Sequence, residues 1–479
     1  MKQAKYLTNV IFNNKTKKSV AIVNLSKIQQ ILEGKKISSN SKLVYNANKL
    51  INKIKMTKKL HTYSLVTFLL IFSVLTACKE KNSINQPVTS EEEKDTVPVL
   101  MTGEGEMPTT WIDKTTGHQL KKLTSEGNNR SFYFHNNPFV KAKNGKDWLM
   151  VFYKNSKKGN QLYSINLTTQ EQKAITTQPG KKRGEIVGTK SRKVFYTLND
   201  SVFATHIDTQ KTDFIKKLPE GVSVGTNTLN ASEELLGGVV ATEEEAELFR
   251  NNPKKSDYFN LIYEAHLPRY LMTINVETGK LTKLYRENAW LNHEQFSPVD
   301  PNLLMYCHEG PWHKVNRIWT YNLATGDTTL IHKRTVHREI AGHEFFSPDG
   351  QTIWFDLQIP RGETFYLAGK NIHTGEETRY QLERNEWSIH YNISPDMKTF
   401  AGDGGDRSQV AHAEDGQWIY HFTPNGTELD SEKLVDMSKH NYDLEPNVHF
   451  SPDGKWIIFR ANFEGDTQIY AVKIEKHKA

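Results

Sequence analysis

The stretch NHEQFSPVDPNLLMYCHEGPWHKVNRIW, residues 292–319, decides the fold because part of it recurs along the chain. The recurring unit is a polar start, an apolar residue before Ser-Pro, a turn and an apolar strand. Related segments occupy residues 342–355 (GHEFFSPDGQTIWF), 389–402 (IHYNISPDMKTFAG) and 445–459 (EPNVHFSPDGKWIIF). Counted from His293, the corresponding positions follow at successive intervals of 50, 47 and 57 residues. This period is typical of β-propeller blades and related repeat arrays.

A second recurring signal is a strand, a short turn and another strand, as in LMTINVETGKLTKLY at residues 271–285. Similar segments lie at residues 111–124, 162–176, 202–218, 318–332 and 418–435. From residue 106 onward, alternating apolar runs are separated by Gly, Asn, Asp and Pro, and helical periodicity is almost absent. The pattern indicates an all-β array in which these segments are the outer hairpins of successive blades.

Counting the innermost strand of each blade predicts how the array closes. Seven such strands are predicted, at residues 131–138, 184–187, 224–229, 293–296, 343–346, 390–393 and 446–450. The last is followed by only two more strands, whereas the hairpin at 111–124 precedes the first and has no blade of its own. Pairing this N-terminal hairpin with the incomplete last blade would remove the free edges. The sequence therefore predicts a closed seven-bladed β-propeller over residues 106–479.

The innermost strands of a propeller line a central channel, so the residues that open them are expected to converge at one mouth. These positions hold His135, His293, His343, His390, Glu445 and Asn447. Any one His beside a blade start can equally make a structural hydrogen bond. Together, imidazoles and oxygen donors favour a site for a cation or an anion.

The formal charge of +7 is concentrated at the N-terminus. Residues 1–77 carry 14 Lys and Arg against a single acid, Glu33, which leaves 48 bases and 54 acids in the remainder. The basic balance is therefore no argument for a nucleic-acid partner.

Residues 56–77, followed by Cys78, resemble a bacterial lipoprotein signal peptide. A Met and two Lys precede a short apolar run, which ends in Leu-Thr-Ala before the Cys. The run is shorter than the roughly 20 residues that span a bilayer, which disfavours a transmembrane anchor. Residues 1–55 are then a basic extension upstream of the true start at Met56.

Lipidation of Cys78 would place the chain in the periplasm or on the outer membrane, held to the membrane only by its lipid. Polar residues 78–105 are predicted to form a flexible tether. The only other cysteine, Cys307, has no disulfide partner and is predicted to be a buried structural thiol.

The segment CHEGPWHKVNRIW, residues 307–319, is the most specific motif of the chain. Together with HEQFSP, GHEFFSPDG, LEPNVHFSPDG and FYFHNNPF, it resembles the oligogalacturonate lyases over about residues 106–475. The resemblance implies a seven-bladed propeller with a divalent cation, usually manganese, in its channel. It also implies cleavage of short oligogalacturonides, chiefly disaccharides, by β-elimination.

β-Elimination at a 1,4-linked uronide needs a base for the C5 proton and a cation or an Arg to neutralise the adjacent carboxylate. A neutral imidazole is a suitable base near pH 7. By resemblance, His293 matches the proposed base, and ligation of metal or substrate is the alternative for this residue. Arg269 matches the charge-neutralising Arg only after a shift of one residue, which on a strand would turn the side chain to the other face.

The resemblance also implies a metal site, and here the chain departs from the family. His343 matches a metal-ligating His. The further ligands of the family, a Gln and two His in a His-Pro-His run, are replaced by Tyr442, Glu445 and Asn447. Since Glu and Asn are hard oxygen ligands, His343, Glu445 and Asn447 suit manganese, and also calcium or magnesium. Loss of the cation is the alternative.

The remaining candidates are predicted to contact substrate at the same mouth: Arg130, His135, His308, Arg317 and His390. An Arg suits bidentate binding of a carboxylate. A surface position is the alternative for Arg130, and bracing of the loop is the alternative for His308.

The predicted function is thus an exported, lipid-anchored lyase that acts on oligogalacturonides or a related uronate oligomer. The alternative is a non-catalytic propeller lipoprotein that binds a glycan or a protein at the channel mouth, since this fold often serves binding. The CHEGP motif and the channel histidines favour the enzyme, whereas the changed residues of the last blade favour the binder. A glycosidase would need two carboxylates across the site, and only Glu445 is well placed.

Overall fold

Strands dominate the computed structural model, which describes residues 97–220 and 223–477. The basic extension, the signal peptide, Cys78 and most of the tether predicted above lie outside the described residues. Within this described part, no helix is both long enough and apolar enough to cross a membrane.

The strands follow one another in groups along the chain. The N-terminal group contains β1 (Val99–Leu100), β2 (Thr110–Asp113) and β3 (Gln119–Lys122). The next contains β4 (Asn129–Arg130), β5 (Phe139–Lys141), β6 (Trp148–Ser156), β7 (Gly159–Asn166) and β8 (Gln172–Ala174). It is followed by β9 (Lys182–Gly188), β10 (Lys193–Leu198), β11 (Ser201–His206) and β12 (Thr212–Lys217).

The middle of the chain repeats this arrangement twice. One group contains β13 (Ser223–Leu229), β14 (Leu235–Ala241), β15 (Arg269–Asn275) and β16 (Leu281–Glu287). The next contains β17 (Leu291–Phe296), β18 (Leu303–His308), β19 (Ile318–Asn322) and β20 (Thr328–Leu330).

Three groups complete the chain. They are β21 (Ile340–Phe346), β22 (Thr352–Gln358), β23 (Phe365–Asn371) and β24 (Glu377–Leu382); then β25 (Tyr391–Ile393), β26 (Phe400–Gly402), β27 (Trp418–Asn425) and β28 (Glu428–Asp436); and finally β29 (His449–Phe450), β30 (Trp456–Glu464) and β31 (Asp466–Lys473). All six predicted outer hairpins are present among these strands.

The sheets form a closed series. β3 pairs antiparallel with β31, with Leu120 opposite Val472, so the N-terminal strands complete the C-terminal sheet. The groups β21–β24 and β25–β28 are joined by a single parallel pair, Gln381 with Glu428, and count as two units. The described residues thus contain seven antiparallel units, each packed against the next, and the last contacts the first through β31 and β4. The predicted all-β propeller class is confirmed, together with its closure by the N-terminal hairpin.

The core lies between neighbouring sheets, including the joint between the two ends of the chain. There, Phe152 of β6 packs in one cluster with Ile458 of β30 and Ile469 of β31, and all three are at most 1% exposed. Full burial of each such side chain contributes about 1.5–3 kcal/mol. Closure is therefore stabilised by apolar contacts as well as by the β3–β31 ladder.

One predicted innermost strand is wrong. Residues 131–138 form a loop between β4 and β5, and these two short flanking strands pair with β6 in place of one continuous innermost strand. The alternation in Ser-Phe-Tyr-Phe-His imitates a strand, but Asn136, Asn137 and Pro138 supply turn chemistry. The loop leaves the sheet and carries aromatic side chains towards the other innermost strands.

Two helices between β14 and β15 were not predicted. They are α1 (Glu243–Asn251) and α2 (Lys255–Ala265). Thr242 caps α1, because its hydroxyl oxygen accepts a hydrogen bond from the Glu245 backbone N–H at 3.4 Å. The spacing of Thr242 and Glu245 is a known start signal for helices. The aromatic side chains of the two helices pack on Trp290, and Glu245 of α1 binds Arg269.

Candidate active site

β-Bulges aim the predicted histidines. The pairing register of β17 with β18 shifts at His293, and that of β21 with β22 shifts at His343. The backbone φ angles of His293, His343 and Asn447 are 54°, 48° and 53°. Such left-handed backbone is uncommon for these residue types, and bulges often re-aim side chains beside an active site. The same backbone feature thus recurs at three of the predicted mouth positions.

Two histidines are each held by a buried carboxylate. His343 Nδ1 lies 2.8 Å from Asp356 Oδ1, and His390 Nδ1 lies 2.9 Å from Asp403 Oδ2. Their ring centroids are 4.9 Å apart. Where the carboxylate is ionised it can only accept, so Nδ1 carries a proton, and Nε2 presents its lone pair when the imidazole is neutral. The Tyr133 hydroxyl donates to His390 Nε2 at 3.2 Å, whereas His343 Nε2 has no partner among the described residues.

The loop at 131–138 brings the other two histidines into the group. The Tyr133 ring centroid lies 5.0 Å from His135, 5.0 Å from His390 and 6.2 Å from His293. Burial lowers the pKa of His135 to about 3, so this ring is neutral at pH 7. The structure therefore brings together all four histidines that the repeat pattern placed at the mouth.

A buried network of charges supports this group. Arg317 donates from Nε to Glu344 Oε2 at 3.0 Å and from NH1 to Glu309 Oε1 at 3.1 Å. Glu309 Oε1 also accepts from Trp312 Nε1 at 3.1 Å, and its Oε2 lies 3.3 Å from His293 Nε2. Burial alone would raise the pKa of Glu309, but Arg317 and His293 outweigh it and hold that pKa well below its usual range. His293 is therefore the imidazole partner of an ionised carboxylate.

Other buried acids near the mouth are less readily ionised. Burial raises the pKa of Glu185 and of Glu294, and it raises the pKa of Asp403 to about 7. Burial likewise lowers the pKa of His390 well below its usual range. Both effects limit the charge carried by these side chains around the channel.

Asn447, predicted as a metal ligand, is used to hold the backbone. Its Oδ1 accepts from the Phe134 N–H at 2.9 Å, and its Nδ2 donates to the Glu445 carbonyl at 3.1 Å. Tyr442, at the position of the family Gln, donates from its hydroxyl to the Asp403 carbonyl at 3.1 Å. Two of the changed residues in the last unit are thus buried braces.

Arg269, predicted as the charge-neutralising Arg, is paired with a helix. Its Nε donates to Glu245 Oε2 of α1 at 2.7 Å, a second nitrogen binds Glu245 Oε1, and the third binds the Leu291 carbonyl. The residue is 6% exposed. The structure therefore corrects this prediction, because Arg269 is the buried counter-ion of α1 and not a free cation in the channel.

His308 lies on β18 away from the other histidines. Its Nε2 is 3.0 Å from Glu287 Oε2, and its ring stacks on Trp319 with centroids 5.1 Å apart. These contacts join His308 to β16 and β19, whereas the alternative noted from the sequence was bracing of the loop. Cys307 beside it is fully buried, as predicted.

Two arginines meet where the last sheet contacts the first. Arg130 of β4 is exposed, and neither it nor Arg460 of β30 has an ion-pair partner among the described residues. Arg460 Nε donates to the Glu445 carbonyl at 2.7 Å, and its NH1 donates to the Ser131 carbonyl at 3.1 Å. Burial is the main reason that the pKa of Arg460 falls to about 10, which still leaves it charged at pH 7.

Sequence reasoning missed several members of the site: Tyr133, Glu309, Glu344, Asp356, Asp403 and Arg460. Some carried a signal. Each Asp follows its His by 13 residues, which is the distance across the turn to the neighbouring strand. Glu344 belongs to a His-Glu pair that also occurs at His293.

Donor atoms of His390 and Glu445 lie close enough together to hold the predicted cation. His390 Nε2 and Glu445 Oε2 lie 3.8 Å apart, beside the ring of His343. A carboxylate behind Nδ1 is the usual way to orient a metal-ligating histidine, and both imidazoles have one. Imidazole and carboxylate donors fit a divalent cation such as manganese, with Asn447 as a brace instead of the predicted ligand.

A second cluster fits a cation poorly. One ligand atom each from His293, Cys307 and Glu309 lie within 4.8 Å of one another. Arg317 already binds Glu309 at 3.1 Å, and burial raises the pKa of the Cys307 thiol well above its usual value. A protonated thiol beside a guanidinium is an unfavourable place for a metal ion.

The channel mouth of this propeller combines carboxylate-held histidines with an arginine–glutamate network. The family model described as "Pectate_lyase22: Oligogalacturonate lyase" matches residues 107–477. The chain therefore belongs to the oligogalacturonate lyase family, whose members are carbon–oxygen lyases. The resemblance inferred from the sequence is confirmed.

Individual relatives agree with this assignment. The chain is 23% identical over 387 residues to the oligogalacturonate lyase of Dickeya dadantii (strain 3937), covering 76% of this chain and 95% of the relative. It is 24% identical over 390 residues to the oligogalacturonide lyase of Pectobacterium atrosepticum, with the same coverage.

Solved structures share the fold. A structure of oligogalacturonate lyase in complex with manganese has a TM-score of 0.66 at 21% identity, and the match covers 77% of this chain and 96% of that one. The oligogalacturonate lyase of Vibrio parahaemolyticus has a TM-score of 0.65 at 22% identity with the same coverage.

Proposed function

We propose that this chain cleaves short oligogalacturonides, chiefly disaccharides, by β-elimination at the channel mouth. The observation that carries the proposal is the state of His343. Its Nδ1 is held by Asp356 at 2.8 Å, and its Nε2 has no partner in the described part of the chain. An imidazole oriented in this way by a buried carboxylate is suited to act as a general base that removes a substrate proton. Membership of the family supplies the substrate class.

The geometry favours His343 over His293 as the base. His293 Nε2 lies 3.3 Å from Glu309, whose carboxylate is ionised, so that nitrogen has an acceptor in front of it. His343 Nε2 has no hydrogen-bond partner among the described residues, so its lone pair is available whenever the ring is neutral. Burial opposes the charged form of His343, but Asp356 outweighs it and raises the pKa of the imidazole, which makes it a stronger base. The role that the sequence suggested for His293 remains the competing assignment.

The proposed β-elimination changes three bonds of the substrate. His343 Nε2 takes the C5 proton of the uronate, the C5–H electron pair forms the C4=C5 double bond, and the C4–O4 bond breaks. The leaving oxygen takes a proton from solvent. No water is added, so the product masses sum to that of the substrate.

Negative charge that develops on the uronate carboxylate must be stabilised. Arg317 is the nearest buried cation, since its charge acts on His343 and its NH2 has no hydrogen-bond partner among the described residues. A divalent cation held by His390 and Glu445 would supply further charge neutralisation. Manganese is the cation proposed here, with calcium or magnesium as the alternatives that the same oxygen donors accept.

Mass spectrometry of digalacturonate incubated with residues 79–479 tests the proposal. We expect products whose masses sum to that of the substrate. Replacement of His343 by Ala should lower the rate about 10²–10⁴-fold, the usual contribution of a general base. His373→Ala, at an exposed turn, is the matched control and should change nothing.

Other outcomes reassign the site. Loss of activity in His293→Ala with retention in His343→Ala would make His293 the base. Loss of activity on chelation, restored by manganese, would support the cation. Absence of cleavage across a panel of uronate oligomers, with binding retained, would favour the glycan-binding alternative.

We also propose that the chain is an exported lipoprotein anchored through Cys78. The support is the arrangement of a basic start, a short apolar run and a Cys in the sequence. Incorporation of labelled palmitate into the chain, and its loss in Cys78→Ala, would test the anchor. Recovery of unlabelled full-length chain from the cytoplasm would exclude it.

A further inference from the structure

Arg460 differs from the other buried arginines in having no carboxylate partner. The described part of the chain buries three arginines, and Arg269 and Arg317 are each ion-paired with buried glutamates. Arg460 is equally buried, at 5% exposure, but its two hydrogen bonds go to backbone carbonyls. An uncompensated buried charge is costly, and two carbonyls use only part of the five N–H donors of a guanidinium. Its charge is therefore available to an anion.

A second guanidinium lies beside it. Arg460 NH1 donates to the carbonyl of Ser131, the residue that follows Arg130, and the charge of Arg130 helps to lower the pKa of Arg460. Arg130 is exposed and also lacks an ion-pair partner among the described residues. Glu185 is the nearby acid, and its carboxyl group already accepts from Tyr133 N and from Asn136 Nδ2. The charge of Glu185 acts on both guanidinium groups, but among the described residues no carboxylate lies within ion-pair distance of either, so a bound anion would stabilise the pair.

The pair adjoins the proposed reaction centre. Arg460 Nε donates to the carbonyl of Glu445 at 2.7 Å, and the side chain of Glu445 lies 3.8 Å from His390 Nε2. His390 is in turn in ring contact with His343. A ligand that reaches from His343 to the arginines therefore passes over Glu445.

We propose that Arg130 and Arg460 bind a carboxylate of the uronate substrate, on the sugar next to the one deprotonated by His343. This inference rests on the proposed function. It assigns one cationic site to each of the two carboxylates of a disaccharide. Arginine suits this task because its planar fork can bind a carboxylate through two parallel hydrogen bonds.

The test measures binding without turnover. Calorimetric titration of digalacturonate into His343→Ala gives the reference Kd, and the same titration is repeated after adding Arg460→Gln or Arg130→Gln. Loss of a charge-assisted pair should raise Kd about 10–100-fold. Binding of uncharged digalactose should not change with either variant. Arg192→Gln, which removes a partly buried arginine paired with Asp208, is the matched control and should leave both Kd values unchanged.

Misfolding of a variant and failure of the proposed reaction can each be distinguished from failure of this inference. If Arg460→Gln does not fold, Arg130→Gln decides the question, because that side chain is exposed. Unchanged Kd for digalacturonate in Arg130→Gln, and in Arg460→Gln where it folds, would overturn the inference. So would absence of digalacturonate binding to the reference protein. If the wild type binds digalacturonate through the arginines but does not cleave it, the carboxylate site stands and the lyase proposal fails.

Discussion

Replacement of Glu245 by Gln should destabilise the protein because it leaves Arg269 as an unpaired buried cation. The two residues are 1% and 6% exposed, and the guanidinium meets the carboxylate through two nitrogens. Breaking such a buried pair from one side costs about 3–5 kcal/mol. Urea unfolding followed by far-ultraviolet circular dichroism measures the loss. Glu244→Gln, which removes an exposed acid from the same helical turn, should cost less than about 0.5 kcal/mol.

The double variant Glu245→Met with Arg269→Met separates structure from catalysis. Replacing a buried ion pair by apolar residues of similar volume is often neutral or stabilising. We therefore expect this variant to recover most of the lost stability and to retain its rate on digalacturonate. A stable double variant with a rate reduced 100-fold or more would refute the reasoning, since Arg269 would then act on the substrate. A loss below about 1 kcal/mol in Glu245→Gln would refute the burial argument.

Three further predictions concern single side chains. Asp356→Asn should move the acid limb of the pH–rate profile to lower pH, because Asp356 raises the pKa of His343 and the base acts only when neutral; an unmoved limb would argue against this base. Glu377 has its pKa lowered to about 2 through its hydrogen bond with His332, so it stabilises the fold above its unfolded pKa near 4.5 and loses that contribution as pH falls towards 2. Glu377→Gln should therefore cost up to about 3 kcal/mol at pH 7 and nothing at pH 2 in urea unfolding, and a cost independent of pH would contradict this linkage. Asn447→Ala should cost about 2–4 kcal/mol by thermal unfolding, since it leaves the Phe134 N–H unpaired and strains a left-handed residue; a change below about 1 kcal/mol would remove the bracing role.

The repeat pattern predicted the fold well because each blade carries its own local signals. The hairpin at 271–285 forms β15 and β16 as its alternation requires, and the unpaired hairpin at 111–124 correctly predicted closure. The errors lie where tertiary contacts override local pattern. Apolar and polar residues alternate at 131–138 as they do in a strand, but this segment leaves the sheet and contacts the histidines of the innermost strands. The helices between β14 and β15 lie outside the repeat, and their aromatic side chains pack on Trp290.

The site was predicted unevenly for a related reason. Inner-strand positions repeat in the sequence, so the convergence of His293, His343 and His390 followed from spacing alone. Partners supplied by other strands do not repeat in the same way. Arg269 could be judged only with its counter-ion in view, because Glu245 lies on an inserted helix. The orientation of the His343 ring likewise depends on Asp356, which lies on the neighbouring strand and is not marked by the repeat.

The buried arginines differ in how far nearby carboxylates neutralise their charge. This difference indicates where an anionic substrate binds most favourably. Arg317 lies between Glu309 and Glu344, so its immediate surroundings carry more negative than positive charge. Arg317 alone therefore compensates a uronate carboxylate only in part, and a divalent cation beside it would supply further positive charge. Arg460 has no carboxylate within ion-pair distance among the described residues, although the charges of Glu185, Glu445 and Asp403 act on it. Chelation should therefore weaken turnover more than it weakens binding of digalacturonate to the His343→Ala variant, because the charge that develops during elimination lies near Arg317, whereas part of the binding comes from Arg130 and Arg460.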